Sequence, residues 1–273
     1  MYKFRSRQAN GPIGNAFVIL GLIYHSIVKD VRKSHKSPLM SLLMEMLQAV
    51  VFTMAFLLMF QFLGVRGAKL RGDFVLYIMS GIFLFMTHTK ALNAVFSAEG
   101  PTSPMMQHAP MNAVIAITSA ALSSLYTQTL SMLALLFCYY VFCTPFEIYE
   151  PVSAFAMFLL AWLSGCAIGM VLYSIKPWAP AIVGIISMVI QRANMIASGK
   201  MFVANMLPPS MLLMFDWNPL FHCIDQARGF TFINYNLHNS DFYYPLWVTL
   251  TLLMIGLVGE YYTRKRASSS WAI

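Results

Sequence analysis

Charged residues are scarce in this chain of 273 residues: only 10% are Asp, Glu, Lys or Arg. An ordinary soluble domain has roughly 25%. Hydrophobic residues make up 59% of the sequence, so there are too few charges to cover a water-facing surface of this size. The composition therefore predicts an all-α integral membrane protein whose solvent is lipid.

Sequence motifs for nucleotide binding, zinc binding and thiol redox chemistry are also missing. The sequence contains no G-x-x-x-x-G-K-[ST] loop, and its nearest string, Ser198-Gly199-Lys200-Met201, lacks the upstream glycine and the final hydroxyl residue. None of the four cysteines forms a CxxC pair, so neither a zinc site nor a thiol redox site is indicated. We expect no cofactor in this chain and no metal site. Uphill transport would then need a partner or an ion gradient.

Carboxylates that could carry protons through a membrane are rare as well. Only Glu45 and Glu260 fall inside predicted spans, each near a predicted cytoplasmic end. An interfacial charge is the preferred interpretation of both, so proton coupling has little support.

Long apolar runs organise the chain as a single domain, residues 1–273. Six predicted membrane spans cover 41–63, 74–96, 111–142, 152–175, 179–200 and 245–262. Residues 13–33 predict an amphipathic helix lying in the membrane interface, because the apolar stretch is short and both flanks are basic. Residues 201–230 are broken by Pro208-Pro209 and Asn218-Pro219, which predicts two short re-entrant helices before the last span.

The net charge of +8 is a topology signal in this context, and no nucleic-acid partner is expected. Seven of the eighteen lysines and arginines precede residue 40, and Arg264, Lys265 and Arg266 form a basic tail. Basic residues stay on the cytoplasmic side of a membrane. The pattern predicts a multi-pass protein with both termini in the cytoplasm.

Arg192 is the most unusual residue, because a cation within a span costs on the order of 3 kcal/mol on insertion scales. Gln191 and Asn194 flank it. It is either a donor that lines a substrate channel or a structural link to a neighbouring carbonyl. Lys90 and Lys200 are expected to extend their ammonium groups to the interface. Aromatic candidates for the same channel are Trp162, Phe158 and Tyr126, since flat rings suit the C–H faces of sugars.

His222, Asp225 and Arg228 recur every three residues after Asn218-Pro219. A catalytic His–Asp pair is one interpretation. A local network that holds a re-entrant helix together is favoured over it, because contacts at this spacing arise readily on any helix.

The C-terminal third resembles the permeases of ABC-type capsular polysaccharide and O-antigen exporters. The resemblance is carried by Ser198-Gly199, Phe202, Leu207-Pro208, Asn218-Pro219, His222, Ile224 and Arg228, together with Lys29-Asp30-Val31-Arg32 near the N-terminus. The order of elements is also similar along nearly the whole chain. Gln191-Arg192-Ala193-Asn194 departs from the family by making span five more polar.

The resemblance implies a homodimer in the bacterial inner membrane that binds a cytoplasmic ABC ATPase dimer, which holds ATP and Mg²⁺. It implies that residues 97–110 form the coupling loop, with ATPase contacts at Glu99, Pro101, Met105, Gln107, His108, Lys29 and Arg32. It also implies that the re-entrant helices form an outer gate that includes Pro208, Asn218, Pro219, His222, Asp225 and Arg228. The cargo would be a lipid-linked polysaccharide or glycolipid, passed to periplasmic export partners.

Three alternatives stay open from the sequence. The same exporter architecture serves a drug, a lipid or a small glycoconjugate as cargo. A membrane-embedded transferase would start its chemistry at His222 and Asp225. A structural assembly factor would have neither an ATPase partner nor a transport phenotype.

Overall fold

The computed structural model describes residues 12–34, 37–62, 73–100, 113–202, 204, 208–233, 235, 237, 238 and 240–266. Within these ranges the regular structure is helical. The helices are α1 (Pro12–Ser34), α2 (Pro38–Phe62), α3 (Phe74–Phe96), α4 (Ala113–Phe142), α5 (Pro151–Ile175), α6 (Pro180–Ala197), α7 (Pro209–Leu212), α8 (Pro219–Thr231) and α9 (Tyr243–Arg266).

Helices α2, α3, α4, α5, α6 and α9 are long and apolar enough to cross a membrane. This confirms the all-helical fold with six spans, and the chain is a multi-pass membrane protein. Helix α1, with 23 residues, is not among the six. It packs against α4 and, over a shorter stretch, against α2.

Proline starts several of these helices. Pro38, Pro151, Pro180 and Pro219 each stand in a first turn, where the missing N–H costs nothing and the fixed φ suits a helix. Hydroxyl and carboxamide side chains add caps: Ser37 Oγ accepts from Met40 N at 3.2 Å, and Asn218 Oδ1 accepts from Leu220 N at 3.0 Å. The helix starts therefore follow from local sequence.

The observed helix ends differ from the predicted ones most clearly in span five and in the last span. Span five was predicted to reach residue 200, but α6 ends at Ala197 because Gly199 adopts a φ of 74°, which ends the helix. The last span is longer than predicted and includes the basic Arg264, Lys265 and Arg266 in its final turn. Of the re-entrant pair, α7 has only 4 residues and α8 has 13.

Helices α3 and α5 form the interior of the chain. Within the apolar windows of these two helices, 78% and 61% of the residues are buried, against 11–22% for the other four spans. Gly165 and Gly169 of α5 face α3 so closely that an added Cβ would lie 2.2 Å from the carbonyl oxygen of His88 and 2.7 Å from that of Leu92. This spacing of small residues lets two helix backbones approach in a membrane.

The contacts fix which helix ends lie together. Lys176 after α5 donates to the carbonyl of Phe96 at the end of α3 (3.0 Å), and Trp178 donates to Thr263 near the end of α9 (3.0 Å). We call this the proximal end of the bundle, and it also holds the start of α2. The distal end is marked by Asp73 and by residues 142–151.

Helix α8 is inserted into the bundle. Eleven of its thirteen residues are buried, and it packs against α3, α5 and α9. Thirteen residues span only about 20 Å, which is too short to cross the roughly 30 Å hydrocarbon core. Short embedded helices of this kind are tolerated where protein surrounds them.

Candidate functional site: a cationic cavity between α2, α3 and α6

A cavity of about 500 Å³ lies between α2, α3 and α6. Polar side chains from all three helices line it: Gln48, Thr89, Lys90, Asn93, Ser97, Ser187, Gln191 and Arg192. Phe52, Phe85, Met188 and Met195 are among its apolar walls. None of its described lining residues is Asp or Glu. A cavity that presents a guanidinium and several amides among apolar side chains is a binding-site candidate.

Two amides hold α6 against α3 at this cavity. Gln191 Nε2 donates to Asn93 Oδ1 at 2.8 Å, and Asn93 Nδ2 donates back to Gln191 Oε1 at 3.0 Å. Gln191 Nε2 also lies 3.1 Å from Ser187 Oγ. This reciprocal pair gives the amide nitrogen and oxygen of both side chains a partner, so it joins the helices at low cost.

Arg192 lies beside that pair and is exposed. Its guanidinium makes no hydrogen bond or ion pair with the residues that the structure describes, and it shares one helix face with Ile185, Val189 and Ile196, all more than 59% exposed. A guanidinium on such a face cannot be left against lipid without a large cost. Water, a ligand or another protein surface must therefore cover this face.

Asn194 points away from the cavity and into a buried chain of hydrogen bonds. Its Nδ2 lies 3.1 Å from His88 Nε2, and its Oδ1 accepts from Asn218 Nδ2 at 3.0 Å. His88 Nδ1 lies 2.9 Å from Ser164 Oγ, whose own proton goes to the carbonyl of Ala161 at 2.8 Å. His88 therefore carries its proton on Nδ1 and accepts at Nε2. The chain joins α8, α6, α3 and α5 through satisfied polar groups.

Arg228 clamps the turn that follows α6. The residue is 1% exposed, and its two terminal nitrogens donate to the carbonyls of Gly199 (2.9 Å), Phe202 (2.9 Å) and Lys200 (3.0 Å). The guanidinium carbon lies 4.0 Å from the centroid of the Tyr77 ring. These contacts compensate the burial of the cation and fix where α6 ends.

Lys200 does not extend to the interface, so that expectation was wrong. The residue is 2% exposed, and its ammonium nitrogen lies 3.1 Å from the ring centroid of Phe85. The rings of Phe56 and Phe52 lie 5.7 and 5.8 Å away. Their π faces replace the hydrogen bonds that this nitrogen lacks among the described residues.

Glu45, which was predicted to be an interfacial charge, bonds to residues of two other helices near the proximal end. Its side chain is 14% exposed, and it accepts from Lys90 Nζ at 2.8 Å and from Gln128 Nε2 at 2.9 Å. The ammonium group of Lys90 is therefore bonded to a carboxylate of α2. Glu260 lies near the proximal end of α9, 3.7 Å from Arg264.

His222, Asp225 and Arg228 bond to different partners. His222 Nε2 donates to the carbonyl of Asp216 at 2.7 Å and its Nδ1 accepts from Asp241 N at 3.1 Å. Asp225 accepts from Tyr235 and from Ser240. His222 and Asp225 thus both hold the segment before α9, at Asp241 and Ser240, whereas Arg228 holds the turn after α6. Pro208 and Pro219 occupy the starts of α7 and α8.

The other channel candidates lie apart from Arg192. Trp162 donates to the carbonyl of Ala121 at 3.1 Å, between α5 and α4. Phe158 is 1% exposed in the core, stacked on Phe155. Tyr126 is exposed on α4. The structure therefore brings together Arg192 and Gln191, with Asn93 and Lys90 in place of the predicted aromatic residues.

The predicted coupling residues are only partly described. Lys29 of α1 lies 3.3 Å from Glu99, which follows α3, and Tyr173 of α5 donates to the carbonyl of Glu99 at 3.0 Å. Pro101, Met105, Gln107 and His108 lie outside the described residues, as does the side chain of Arg32.

Sequence reasoning missed Glu45, His88, Asn93 and Gln128 as site or network residues. The sequence does contain a signal for these four residues: each is polar within an apolar span, and such a residue has to bond to a polar partner. The partner's identity depends on helix packing, which periodicity does not give. No protein-family model matches this chain, and a search of curated proteins finds no match, so its function is inferred from its own residues and geometry.

Proposed function

We propose that this chain is the permease subunit of an ABC transporter that exports a lipid-linked polysaccharide. The observation that carries the proposal is the cavity between α2, α3 and α6, where the exposed guanidinium of Arg192 lies beside the Gln191–Asn93 pair. Guanidinium and amide groups bind carboxylates and hydroxyls, the polar groups of a glycan. The resemblance of residues 198–228 to exporter permeases supports the same proposal.

Two copies form the conduit in this proposal. The faces of α2 and α6 beside the cavity are exposed in one chain, and a second copy covers them and makes Arg192 part of a wet channel. Energy comes from a cytoplasmic ABC ATPase dimer that holds ATP and Mg²⁺. The ATPase docks on residues 97–110, and the proximal end of the bundle faces the cytoplasm of a bacterial inner membrane.

Two contacts at the proximal end transmit the motion of the ATPase in this proposal. The ion pair between Lys29 and Glu99 joins α1 to the segment after α3, and Tyr173 joins that segment to α5. A displacement of residues 97–110 therefore acts on the two interior helices, and through Asn93 and Gln191 on α6. The permease itself makes and breaks no covalent bond.

The test is purification of the full chain in mild detergent from its native host, followed by mass spectrometry and an ATP hydrolysis assay on the preparation. We expect a co-purifying ATPase that disappears when residues 97–110 are replaced by a neutral linker of equal length. The matched control replaces residues 64–71, which the proposal places on the opposite side of the membrane.

An ATPase that persists without residues 97–110, or disappears in the control, would contradict the proposed coupling. Absence of any nucleotide-binding partner under several mild conditions would overturn the exporter proposal. A separate export assay in cells tests the cargo class. Arg192→Gln is expected to lower glycan export several-fold while leaving ATPase binding intact.

A further inference from the structure

The last turn of α9 places three cations at the proximal end of the bundle. Arg264, Lys265 and Arg266 are all exposed. Helix α9 has 24 residues and is therefore about 36 Å long, more than the roughly 30 Å of the hydrocarbon core, so this turn reaches the headgroup layer. The described lining of the cavity beside Arg192 includes none of the three.

One of these charges is already paired within the helix. The side chain of Glu260, one turn earlier, is only 10% exposed and lies 3.7 Å from Nε of Arg264. Lys265 and Arg266 make no hydrogen bond or ion pair with any residue that the structure describes. Two positive charges therefore remain exposed without a counterion in the described part of the chain.

An aromatic pair holds the side chain of Arg266. The guanidinium carbon lies 4.2 Å from the centroid of the Tyr262 ring, which is stacked on the Trp178 ring at 6.3 Å and 15°. Trp178 Nε1 donates to Thr263 Oγ1 at 3.0 Å, and Thr263 Oγ1 donates to the carbonyl of Ser174 at 2.8 Å. These hydrogen bonds fix the indole, so the ring and the guanidinium that stack on it are ordered as well.

A guanidinium that is stacked through its face keeps its edge free. The N–H groups of Arg266 point outward in one plane, a geometry that binds two oxygens of a phosphate at once. Lys265 adds a second unpaired cation at the same level of the helix. Cations at a helix end are common because they complement the helix dipole, so the charges alone would carry no inference. The ordered stack is what distinguishes this turn.

The surface beside the stack is apolar. Trp178 and Tyr262 are exposed, as are Ile175 and Val258, which lie about one turn away from them along the chain. A free anion gains nothing from rings and alkyl side chains. A phospholipid covers them with its acyl chains while its phosphate meets the cations above. The combination therefore favours a lipid over a soluble anion.

We propose that Arg266 and Lys265 bind the phosphate of an anionic phospholipid such as phosphatidylglycerol. A zwitterionic headgroup adds an ammonium group beside its phosphate, and the two cations repel that group. The lipid is a resident ligand on the outer surface of the bundle and is not the cargo. Its binding does not depend on the exporter proposal; only its placement in the cytoplasmic leaflet rests on that proposed function.

The experiment is native mass spectrometry of the full chain in detergent. The protein is titrated with phosphatidylglycerol and, separately, with phosphatidylcholine that carries the same acyl chains. We expect the first phosphatidylglycerol to bind about tenfold more tightly, because two cations act on one anionic headgroup. Inorganic phosphate at the concentration of the lipid should not displace it.

The first pair of variants tests the charges. Lys265→Gln with Arg266→Gln is expected to remove most of the preference for phosphatidylglycerol. The matched control, Arg66→Gln with Lys69→Gln, lowers the net charge by the same amount in the segment between α2 and α3. We expect the control to keep the preference of the wild type.

The second pair tests the stack without changing any charge. Tyr262→Leu removes the ring beneath the guanidinium of Arg266, and we expect it to weaken phosphatidylglycerol binding several-fold. Tyr261→Leu is the control, since the neighbouring Tyr261 is exposed and its ring makes no aromatic or cation–π contact among the described residues. The control should bind as the wild type does.

Equal affinity of the wild type for both lipids, or a full preference in the variant that lacks both cations, would overturn the site. Loss of the preference in the Arg66 and Lys69 control would overturn it too, because net charge alone would then select the lipid. Equal binding by the two tyrosine variants would contradict the role of the stack, and displacement by inorganic phosphate would contradict a lipid ligand. None of these outcomes bears on ATPase co-purification, so this proposal and the exporter proposal fail separately.

Discussion

Arg228 is buried and Arg192 lies in a membrane span, and the two differ in what surrounds the guanidinium. Arg228 is enclosed, and three backbone carbonyls accept its protons while Tyr77 stacks on its face. Arg192 is exposed beside the cavity and bonds to none of the described residues. A guanidinium whose two terminal nitrogens donate to the backbone serves the fold, whereas one that bonds to none of the described residues is available to a ligand.

Substitution by methionine should separate these roles. Arg228→Met leaves the carbonyls of Gly199, Lys200 and Phe202 without their donor, and we expect it to lower the free energy of unfolding by about 3 kcal/mol. Arg192→Met removes no contact within the chain, so thermal unfolding in detergent should be unchanged or slightly improved while export falls. Equal destabilisation by both variants would contradict this division.

Between elements, α5 approaches the backbone of α3 closely at Gly165. An added Cβ would lie 2.2 Å from the carbonyl oxygen of His88, an atom of the helix backbone that cannot swing aside. Gly165→Ala is therefore expected to push α3 and α5 apart and destabilise the chain by about 3 kcal/mol or more. Gly21→Ala is the matched control, since an added Cβ on α1 meets nothing within 4 Å.

The control should gain a little stability, because alanine favours a helix over glycine by about 1 kcal/mol. Thermal unfolding of both variants in one detergent measures the difference. Similar melting temperatures for Gly165→Ala and the wild type would show that α3 and α5 are not packed this closely.

The sequence predicts elements better than it predicts which elements meet. Apolar runs gave the six spans, and Pro38, Pro151 and Pro219 mark helix starts, because these are local properties of the chain. The end of α6 was misplaced since the cause is one residue, Gly199, in a left-handed conformation held by a distant arginine. Gly165 and Gly169, four residues apart, mark a helix face that another helix can approach closely. The sequence does not show that this other helix is α3.

The same limit applies to the candidate site. Arg192 and Gln191 were identified because polar residues are conspicuous in an apolar span. Asn93 was not assigned to the site, and Glu45 was assigned to the interface, because their partners come from helices about 45 to 98 residues away along the chain. Phe158 and Trp162 were assigned by chemistry alone, and their exposure depends on neighbours that periodicity does not reveal.

At the distal end, Asp73 joins the start of α3 to the end of α4. Burial alone would raise the pKa of this carboxyl group, but hydrogen bonds from Tyr139 and Thr144 and from the first N–H groups of α3 outweigh burial and lower the pKa. Because the folded pKa is below the unfolded one, the carboxylate stabilises the fold above about pH 4. That contribution is lost as the pH falls through the folded pKa.

Asp73→Asn should therefore flatten the acid dependence of stability. We expect the wild type to lose more stability than the variant between about pH 5 and about pH 3, measured by thermal unfolding in detergent. Tyr139→Phe removes one donor and should fall between them. An identical pH dependence for wild type and Asp73→Asn would show that the carboxylate gains nothing from this junction.

At the scale of the whole molecule, one chain leaves its candidate site uncovered. The α6 face that carries Arg192 is as exposed as the outer face of α9. The exposed charges of α9 stand in its last turn, whereas Arg192 lies between the apolar Val189 and Ile196. Val189, one turn from Arg192, is 60% exposed, and Met254 near the middle of α9 is 61% exposed. In a single chain surrounded by lipid, the side chains at both positions would face lipid. A paired chain with a channel between copies would hydrate Val189 and leave Met254 in lipid.

A cysteine at each position distinguishes these arrangements. In a background in which the exposed Cys143 is replaced by serine, we expect Val189→Cys to react with a membrane-impermeant maleimide and Met254→Cys to stay unreacted, because the reaction needs a hydrated thiolate. Native mass spectrometry of the same samples should give twice the 30.7 kDa of one chain. Equal reactivity at both positions, or a mass of one chain with Val189→Cys unreacted, would mean that lipid covers this face and that no channel forms at Arg192.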